Sequence, residues 1–401
     1  MTGRCEVLVS GASGLVGAEV AARLVAAGTP VTTVLHRNSQ ILRNDGGSVD
    51  RVVSVTGNVR RPRFGLSAET EAELAGRVGV VVHAAATTAF DATAEEYEEL
   101  NVRGAAHAID LALRWDVPLV HVSTAYVCGM RGGTVAEGDL DAGQEFGNGY
   151  EDSKFRAERL VRGTPGLRWA IVRPGIVTGA VGTGAIRDYK NLYTVVKLIV
   201  EGKLRSLPGR YDATLALAPV DHVADVVAAV VRDIGAVHGR TFHAVGRDTL
   251  SLREVSDVLA EYPSFHVATF VPAASFAVAD LDPVEREYYL RIGALYTSYF
   301  ARRLRFDTAN TDALLGRPAP ATGKDYLRLL LDYCLESGYL GTPLPSIEEV
   351  LAAHAGPDAA ALPQPFRRAG NVSGERAGSV GGERAWVAGV APSGADRGGC
   401  P

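Results

Sequence analysis

The chain has 401 residues, of which 47% are hydrophobic, and its formal net charge at pH 7 is −5. This length allows one large core or a principal domain with a smaller appendage, since single cores stop growing near ~250–300 residues. The negative net charge supplies no broad basic field, so we expect no nucleic-acid partner.

The cysteines and histidines show no ligand spacing. Four cysteines lie far apart and nine histidines are scattered, so we expect no metal site and cysteines that are reduced and mostly pack. The N-terminus leads into an apolar strand without a signal-type segment, and no apolar run approaches the ~18–20 residues of a membrane span. We therefore expect a cytoplasmic enzyme with no membrane span.

The first half of the chain alternates short apolar runs with helical stretches. The predicted strands are 7–9, 31–35, 78–83, 119–122 and 170–172, and the predicted helices are 18–27, 94–114 and 150–162. Such alternation is typical of a parallel sheet with helices on both faces. The sequence predicts an α/β fold with a doubly wound, Rossmann-type sheet and a smaller C-terminal substrate lobe.

After Pro174-Gly175 the alternation weakens. The later predicted elements are helices at 191–201, 223–232, after Ser251, at 284–304 and at 326–340, with a strand at 241–244. The tyrosines of 284–304 either line a pocket or pack, and packing is favoured. The predicted domains are a dinucleotide-binding domain at 1–180 to which about 215–250 return, a substrate lobe at 181–350 and a disordered tail at 357–401.

A glycine-rich loop follows the first strand, with glycines at Gly11, Gly14 and Gly17. The first glycine suits a sharp turn, the second lets a pyrophosphate approach the backbone, and the third lets helix and strand pack closely. The amides at the start of the next helix then face the phosphates. Because these three glycines lie between a strand and a helix, they indicate a dinucleotide site.

The second strand ends at Leu35-His36-Arg37, where an NAD-binding protein usually offers an acid to the adenosine ribose. No acid is present there. Arg37 is placed to bind a 2′-phosphate, which favours NADPH over NADH. The alternative is a solvated arginine at a loop edge.

Two hydroxyls, Ser123 and Thr124, follow the strand at 119–122, at the sheet edge where open α/β folds bind ligands. Spacing alone does not choose between them, and either could serve a turn. Tyr150 and Lys154 stand four residues apart on a predicted helix and so share one face. A cation there is expected to lower the pKa of the phenol, which readies it as a proton donor to a carbonyl.

Two further motifs are less specific. The Arg173-Pro-Gly segment ends a strand, and its Pro-Gly pair is interpreted either as a backbone fold around the nicotinamide amide or as a common turn. Asn101 is predicted to hold a helix–loop junction in preference to a water chain.

Together these segments resemble an extended short-chain dehydrogenase/reductase over about residues 5–350. The motifs that carry the resemblance are Gly11-Ala-Ser-Gly-Leu-Val-Gly17, His83-Ala-Ala-Ala, Asn101-Val-Arg-Gly, Val122-Ser-Thr-Ala-Tyr, Tyr150-x-x-x-Lys154 and Arg173-Pro-Gly. Within that superfamily, Gly57-Asn-Val with Pro62-Arg-Phe-Gly-Leu-Ser and His83-Ala-Ala-Ala-Thr-Thr-Ala-Phe-Asp is similar to the fatty acyl-CoA reductase (male sterility) and thioester reductase group.

The resemblance implies a role for each matching residue. The catalytic set would be Thr124, Tyr150 and Lys154. The cofactor-binding set would be Gly11, Ser13, Gly14, Leu15, Val16, Gly17, Arg37, Asn58, Val59, Ala84, Ala85, Ala86, Tyr150, Lys154, Pro174, Gly175 and Ile176. The family usually has Asp where this chain has Asn58, which leaves the strength of the adenine contact open.

The implied reaction is hydride transfer from NADPH to an acyl thioester, with Thr124 and Tyr150 stabilising the oxyanion. The product is an aldehyde, or an alcohol after a second hydride. The thiol belongs to coenzyme A or to an acyl-carrier-protein partner, and a homodimer is one candidate assembly. The alternatives are an extended enzyme of this type acting on a nucleotide sugar (epimerase or dehydratase) or on a hydroxyl or ketone substrate (dehydrogenase), and a non-catalytic dinucleotide sensor.

Overall fold

The computed structural model of the protein describes residues 4–341, so the tail predicted at 357–401 lies outside the described residues. The strands are β1 Glu6–Ser10, β2 Val31–Leu35, β3 Val53–Thr56, β4 Val78–His83, β5 Leu119–Val122, β6 Gly133–Val135, β7 Trp169–Pro174, β8 Ile176–Thr178, β9 Ser206–Pro208, β10 Thr214–Leu215, β11 Leu217–Pro219, β12 Arg240–Ala244, β13 Leu250–Ser251, β14 Thr269–Val271 and β15 Leu304–Phe306.

The α-helices are α1 Leu15–Ala26, α2 Ala68–Arg77, α3 Ala94–Glu96, α4 Arg103–Trp115, α5 Gly149–Gly163, α6 Leu192–Val200, α7 Val220–Arg232, α8 Ile234–Val237, α9 Leu252–Leu259, α10 Pro283–Arg291, α11 Ala309–Leu315 and α12 Lys324–Glu336. A π-helical turn, Tyr97–Val102, joins α3 to α4. The 3₁₀ turns are Pro62–Gly65, Ala125–Cys128, Ala273–Ser275, Val278–Asp280 and Gly293–Phe300.

Seven strands form one sheet in the order β3-β2-β1-β4-β5-β7-β12, and every neighbouring pair is parallel. The order reverses between β1 and β4, which opens a crevice at the carboxyl ends of these strands. The predicted doubly wound, Rossmann-type sheet is confirmed. Its crevice is where such folds hold a ligand.

Alternating side chains of β1 explain why helices cover both faces of the sheet. Val7 and Val9 pack in the core beneath α1 and α7, whereas Leu8 packs in the opposite core beneath α4. Successive residues of a strand point to opposite faces, so an uninterrupted apolar run needs cover on both sides. All five residues of β1 are buried.

One predicted element was wrong, and several elements, including β3, α2 and α11, were not predicted. The segment 284–304 is not one helix: α10 ends at Arg291, and a 3₁₀ turn runs from Gly293 to Phe300 before β15. Glycine is a poor helix former, and a Cβ on Gly293 would lie 3.0 Å from the Tyr289 ring. Strand β3 was missed, because this edge strand is largely exposed and carries no apolar run.

Short two-stranded pairings join distant segments beside the sheet. The pairs are β8 with β11, β9 with β14, β6 with β15 and β10 with β13, the last antiparallel. Their side chains and those of α6, α9 and α12 form a separate hydrophobic core. Among residues 4–341, no helix is long and apolar enough to cross a membrane.

Candidate active site

A cavity of about 240 Å³ lies at the carboxyl end of the sheet. The glycine-rich loop, the ends of β4, β5 and β7, and the start of α5 form one side of it. The residues of that side are Gly11, Gly14, Leu15, Val16, Gly17, Ala84, Ala86, Thr124, Tyr150, Gly175 and Ile176. Most of the residues predicted for one site therefore surround one space.

The glycine-rich loop requires glycine at two positions for steric reasons. Gly11 has a φ of +82°, and a Cβ there would lie 2.6 Å from the carbonyl carbon of Ala84. A Cβ on Gly17 would lie 2.2 Å from the Gly11 carbonyl oxygen. Helix α1 begins at Leu15, directly after Gly14, with no side-chain cap and no acid in its first turn. Its first amides are thus available to an anion.

The end of β2 carries an arginine without a protein partner. Arg37 is exposed, and within residues 4–341 it forms no hydrogen bond or ion pair. His36 lies beside Asn58, with 3.4 Å between His36 Nε2 and Asn58 Nδ2. Asn58, predicted at the adenine, thus lies next to the end of β2, while Val59 is buried.

Thr124 and Ser123 point in different directions. Thr124 lies at the cavity, where its Oγ1 accepts a 3.3 Å hydrogen bond from the Tyr126 amide and lies 3.4 Å from the Pro174 carbonyl oxygen. Ser123 instead donates a 2.9 Å hydrogen bond to Glu158, beneath the sheet edge. The structure thus brings Thr124, and not Ser123, to the cavity.

Tyr150 and Thr124 form a pair of hydroxyls. Burial raises the pKa of Tyr150 to about 12, the hydrogen bond from Thr124 works against that rise, and the charges of Glu151 and Tyr97 add to it. The phenol is therefore protonated at neutral pH.

Lys154 does not lower the pKa of the phenol in this structure, contrary to the prediction. Its Nζ donates a 2.7 Å hydrogen bond to the Val122 carbonyl oxygen at the end of β5. Burial lowers the pKa of Lys154 itself to about 8, although the Glu158 carboxylate opposes that effect. Desolvation has the largest influence on the pKa of Tyr150.

Helix α5 is held at both ends by buried ion pairs that sequence reasoning missed. Near its C-terminus, Glu158 accepts two hydrogen bonds from Arg173, of 2.6 and 3.0 Å, and both side chains are 0% exposed. In its first turn, Glu151 pairs with Arg302 at 2.8 Å. Glu158 stands four residues after Lys154 on the same helix face, which is a spacing that could have indicated it.

Asn101 fastens the loop after β4 to α5. It accepts a hydrogen bond from the Thr87 amide at 2.9 Å, and it donates to the Thr87 carbonyl and to Ser153 Oγ at 3.1 and 2.9 Å. These contacts agree with the predicted helix–loop junction. In the same loop, Ala85 packs into the core beneath the sheet and does not line the cavity.

The opposite wall of the cavity is aromatic. Tyr296, Tyr299 and Phe300 line it together with Phe90, whose ring centroid lies 5.9 Å from that of Tyr150. Phe90 also stacks on Tyr299 at 5.5 Å and meets Tyr296 at 5.2 Å. Tyr296 and Tyr299 therefore do both of the things that were predicted as alternatives: they pack with the hydrophobic core and they line the pocket.

The parallel sheet, the glycine-rich loop and the convergence of Thr124 and Tyr150 define an extended short-chain dehydrogenase/reductase. The model of the Male sterility protein family matches residues 26–227, and the chain belongs to this family. The predicted resemblance is thus confirmed, as is the prediction of an NAD(P)-dependent oxidoreductase of this type.

Curated relatives include two fungal reductases. The chain is 26% identical over 296 residues to the L-2-aminoadipate reductase large subunit of Penicillium chrysogenum, covering 65% of this chain and 21% of that protein. It is 31% identical over 219 residues to glycine betaine reductase ATRR of Emericella nidulans, covering 53% and 17%. The chain thus spans about a fifth of the length of these relatives.

A solved structure supports the fold. The terminal R domain from the myxalamid PKS-NRPS biosynthetic pathway superposes with a TM-score of 0.71 at 22% identity, covering 86% of this chain and 94% of that chain.

Proposed function

We propose that this protein uses NADPH to reduce an acyl thioester, carried on coenzyme A or on a carrier protein, to an aldehyde, which a second hydride can convert to an alcohol. The observation that carries the proposal is the convergence of the Thr124 and Tyr150 hydroxyls in the cavity that the glycine-rich loop borders. The similarity to an aminoadipate reductase and to the R domain of a PKS-NRPS pathway supports the choice of thioester.

The residues present suit NADPH. The amides of Leu15 and Val16 at the start of α1 would bind the diphosphate, and the glycines beside them leave it room. Arg37 would bind the 2′-phosphate, because it has a free charge and β2 ends without an acid. Asn58 and Val59 would contact the adenine, and Lys154 the nicotinamide ribose.

The bound cofactor supplies a hydride, and residues of the protein stabilise the negative charge that develops on the carbonyl oxygen. Thr124 and Tyr150 donate hydrogen bonds to the carbonyl oxygen as it becomes an oxyanion. With a pKa of about 12, Tyr150 keeps its proton at neutral pH until that oxyanion forms. Collapse of the oxyanion breaks the C–S bond, and the thiolate leaves. In a second reduction, Tyr150 gives its proton to the alkoxide, which becomes the alcohol.

The test is NADPH oxidation by the purified protein with acyl-CoAs, acyl-carrier-protein thioesters, aldehydes, ketones and nucleotide sugars, with products identified by mass. We expect thioesters to drive oxidation and an aldehyde or alcohol to form. Release of tightly held NAD together with turnover of a nucleotide sugar would instead support the epimerase or dehydratase alternative. Cofactor binding without turnover of any of these compounds would support a dinucleotide sensor.

A further inference from the structure

Arg187 reaches from the loop between β8 and α6 to the glycine-rich loop. Its Nη2 donates a 2.8 Å hydrogen bond to the backbone carbonyl oxygen of Ser13. The preceding residue, Ile186, is 1% exposed and packs in the core of the short strands, which fixes this part of the loop. The buried Ile186 and the hydrogen bond to Ser13 therefore hold Arg187 against the glycine-rich loop.

The charge of Arg187 has no protein counterpart. In the described part of the chain no carboxylate pairs with it, and its Nε is buried without a hydrogen-bond partner. The adjacent acid, Asp188, is paired with Lys190. A buried donor left unpaired costs about 1–3 kcal/mol, and more when the group is charged. The position therefore suits an anion that the protein itself does not provide.

The start of α1, next to Ser13, also suits an anion. Gly14 caps the helix without a side chain, and no acid lies in the first turn. Unpaired amides at a helix N-terminus favour negative charge. The Arg187 guanidinium and the start of α1 meet at the Ser13 backbone, and neither has a carboxylate of the protein beside it. A diphosphate, with two negative charges and several acceptor oxygens, would satisfy both.

We propose that Arg187 is a further cofactor-binding residue, which holds the diphosphate that NADPH and NADH share. This inference rests on the proposed function, because it assumes that a dinucleotide occupies the crevice. Arg187 differs from Arg37 in what it recognises. Arg37 contacts a group found only in NADPH, whereas Arg187 contacts a group common to both cofactors, so the two arginines serve as controls for each other.

The experiment measures dissociation constants without turnover. NADPH and NADH are titrated by fluorescence, and adenosine 2′-monophosphate, which lacks the diphosphate, by calorimetry. The proteins are wild type, Arg187→Gln, Arg187→Lys and Arg37→Gln. We expect Arg187→Gln to weaken both dinucleotides by a similar factor of at least about tenfold, as for loss of a charged hydrogen bond, and to leave binding of adenosine 2′-monophosphate unchanged. Arg37→Gln should weaken NADPH and adenosine 2′-monophosphate and spare NADH.

Several outcomes would overturn the inference. Wild-type affinity of Arg187→Gln for both dinucleotides would remove Arg187 from the site, and equal loss of all three ligands would indicate a structural role. If Arg187→Gln does not fold, Arg187→Lys is tested instead, because lysine keeps the charge but lacks the planar guanidinium that can donate two parallel hydrogen bonds. Its affinity must then fall for both dinucleotides and not for adenosine 2′-monophosphate. A wild-type protein that binds neither dinucleotide would refute the proposed function itself.

Discussion

The two sides of the cavity are built differently. The sheet side holds its reactive groups on α5 and at the end of β5, fixed from behind by the fully buried Arg173–Glu158 pair. The opposite side is lined by aromatic rings, most of them on a 3₁₀ turn, and by part of the loop between β8 and α6. That loop also carries Arg187, whose buried Nε has no partner. The difference predicts a chemical side, on which substitutions change stability or rate, and a binding side, on which they lower affinity.

The largest expected effect is on the stability of the sheet side. Arg173→Met leaves the Glu158 carboxylate buried without its main partner, which should lower the free energy of unfolding by about 3–5 kcal/mol. Denaturant unfolding measures it. The matched control is Arg168→Met, which removes an exposed ion pair with Asp116 and should cost less than about 1 kcal/mol. Equal losses of unfolding free energy in the two variants would contradict the distinction between the buried and the exposed ion pair.

The next effect is a pH dependence of stability from Lys154. Because its folded pKa of about 8 lies below the ordinary 10.5, the folded state binds fewer protons between these values, and unfolding should become harder as pH rises through that window. Lys154→Met should therefore be more stable than wild type by roughly 3 kcal/mol below pH 8, with the gap closing toward pH 10.5. Unfolding midpoints across pH 7–10.5 measure this gap, and a constant gap would refute the assignment.

Removal of the proton donor comes third. Tyr150→Phe should lower kcat by at least about 10²-fold, the usual contribution of a general acid. Tyr296→Phe is the control, since it removes a hydroxyl from the other wall of the same cavity. Steady-state rates with an accepted thioester give both numbers. A wild-type rate in Tyr150→Phe would disprove the proposed role.

The smallest effect belongs to the aromatic wall. Tyr296→Leu removes a ring that contacts Phe90, and aromatic pairs contribute about 0.5–1.5 kcal/mol. We expect KM for the acyl substrate to rise by up to about tenfold with kcat retained. Kinetics at saturating NADPH separate the two constants. A fall in kcat without a change in KM would place Tyr296 on the chemical side instead.

The sheet side of the cavity was largely predictable and the opposite side was not. Strands such as β1 carry local apolar runs, and the glycine-rich loop follows directly from a strand end. The end of β5 indicated a hydroxyl, and the family resemblance then favoured Thr124 over Ser123. The rest of the molecule around the cavity depends on contacts between distant segments: Arg187 meets Ser13 across 174 positions, and no local spacing encodes that. The predicted influence of Lys154 on the phenol failed because helix spacing does not give desolvation, which only the folded environment determines.

The most direct measurement is a crystal structure with NADP⁺ and an unreactive thioester analogue bound. The account predicts that the nicotinamide ring enters the cavity and that the analogue's carbonyl oxygen lies within about 3–3.5 Å of the Thr124 and Tyr150 hydroxyls, as near-attack geometry requires. A ring bound outside this cavity, or a carbonyl held by neither hydroxyl, would contradict the account.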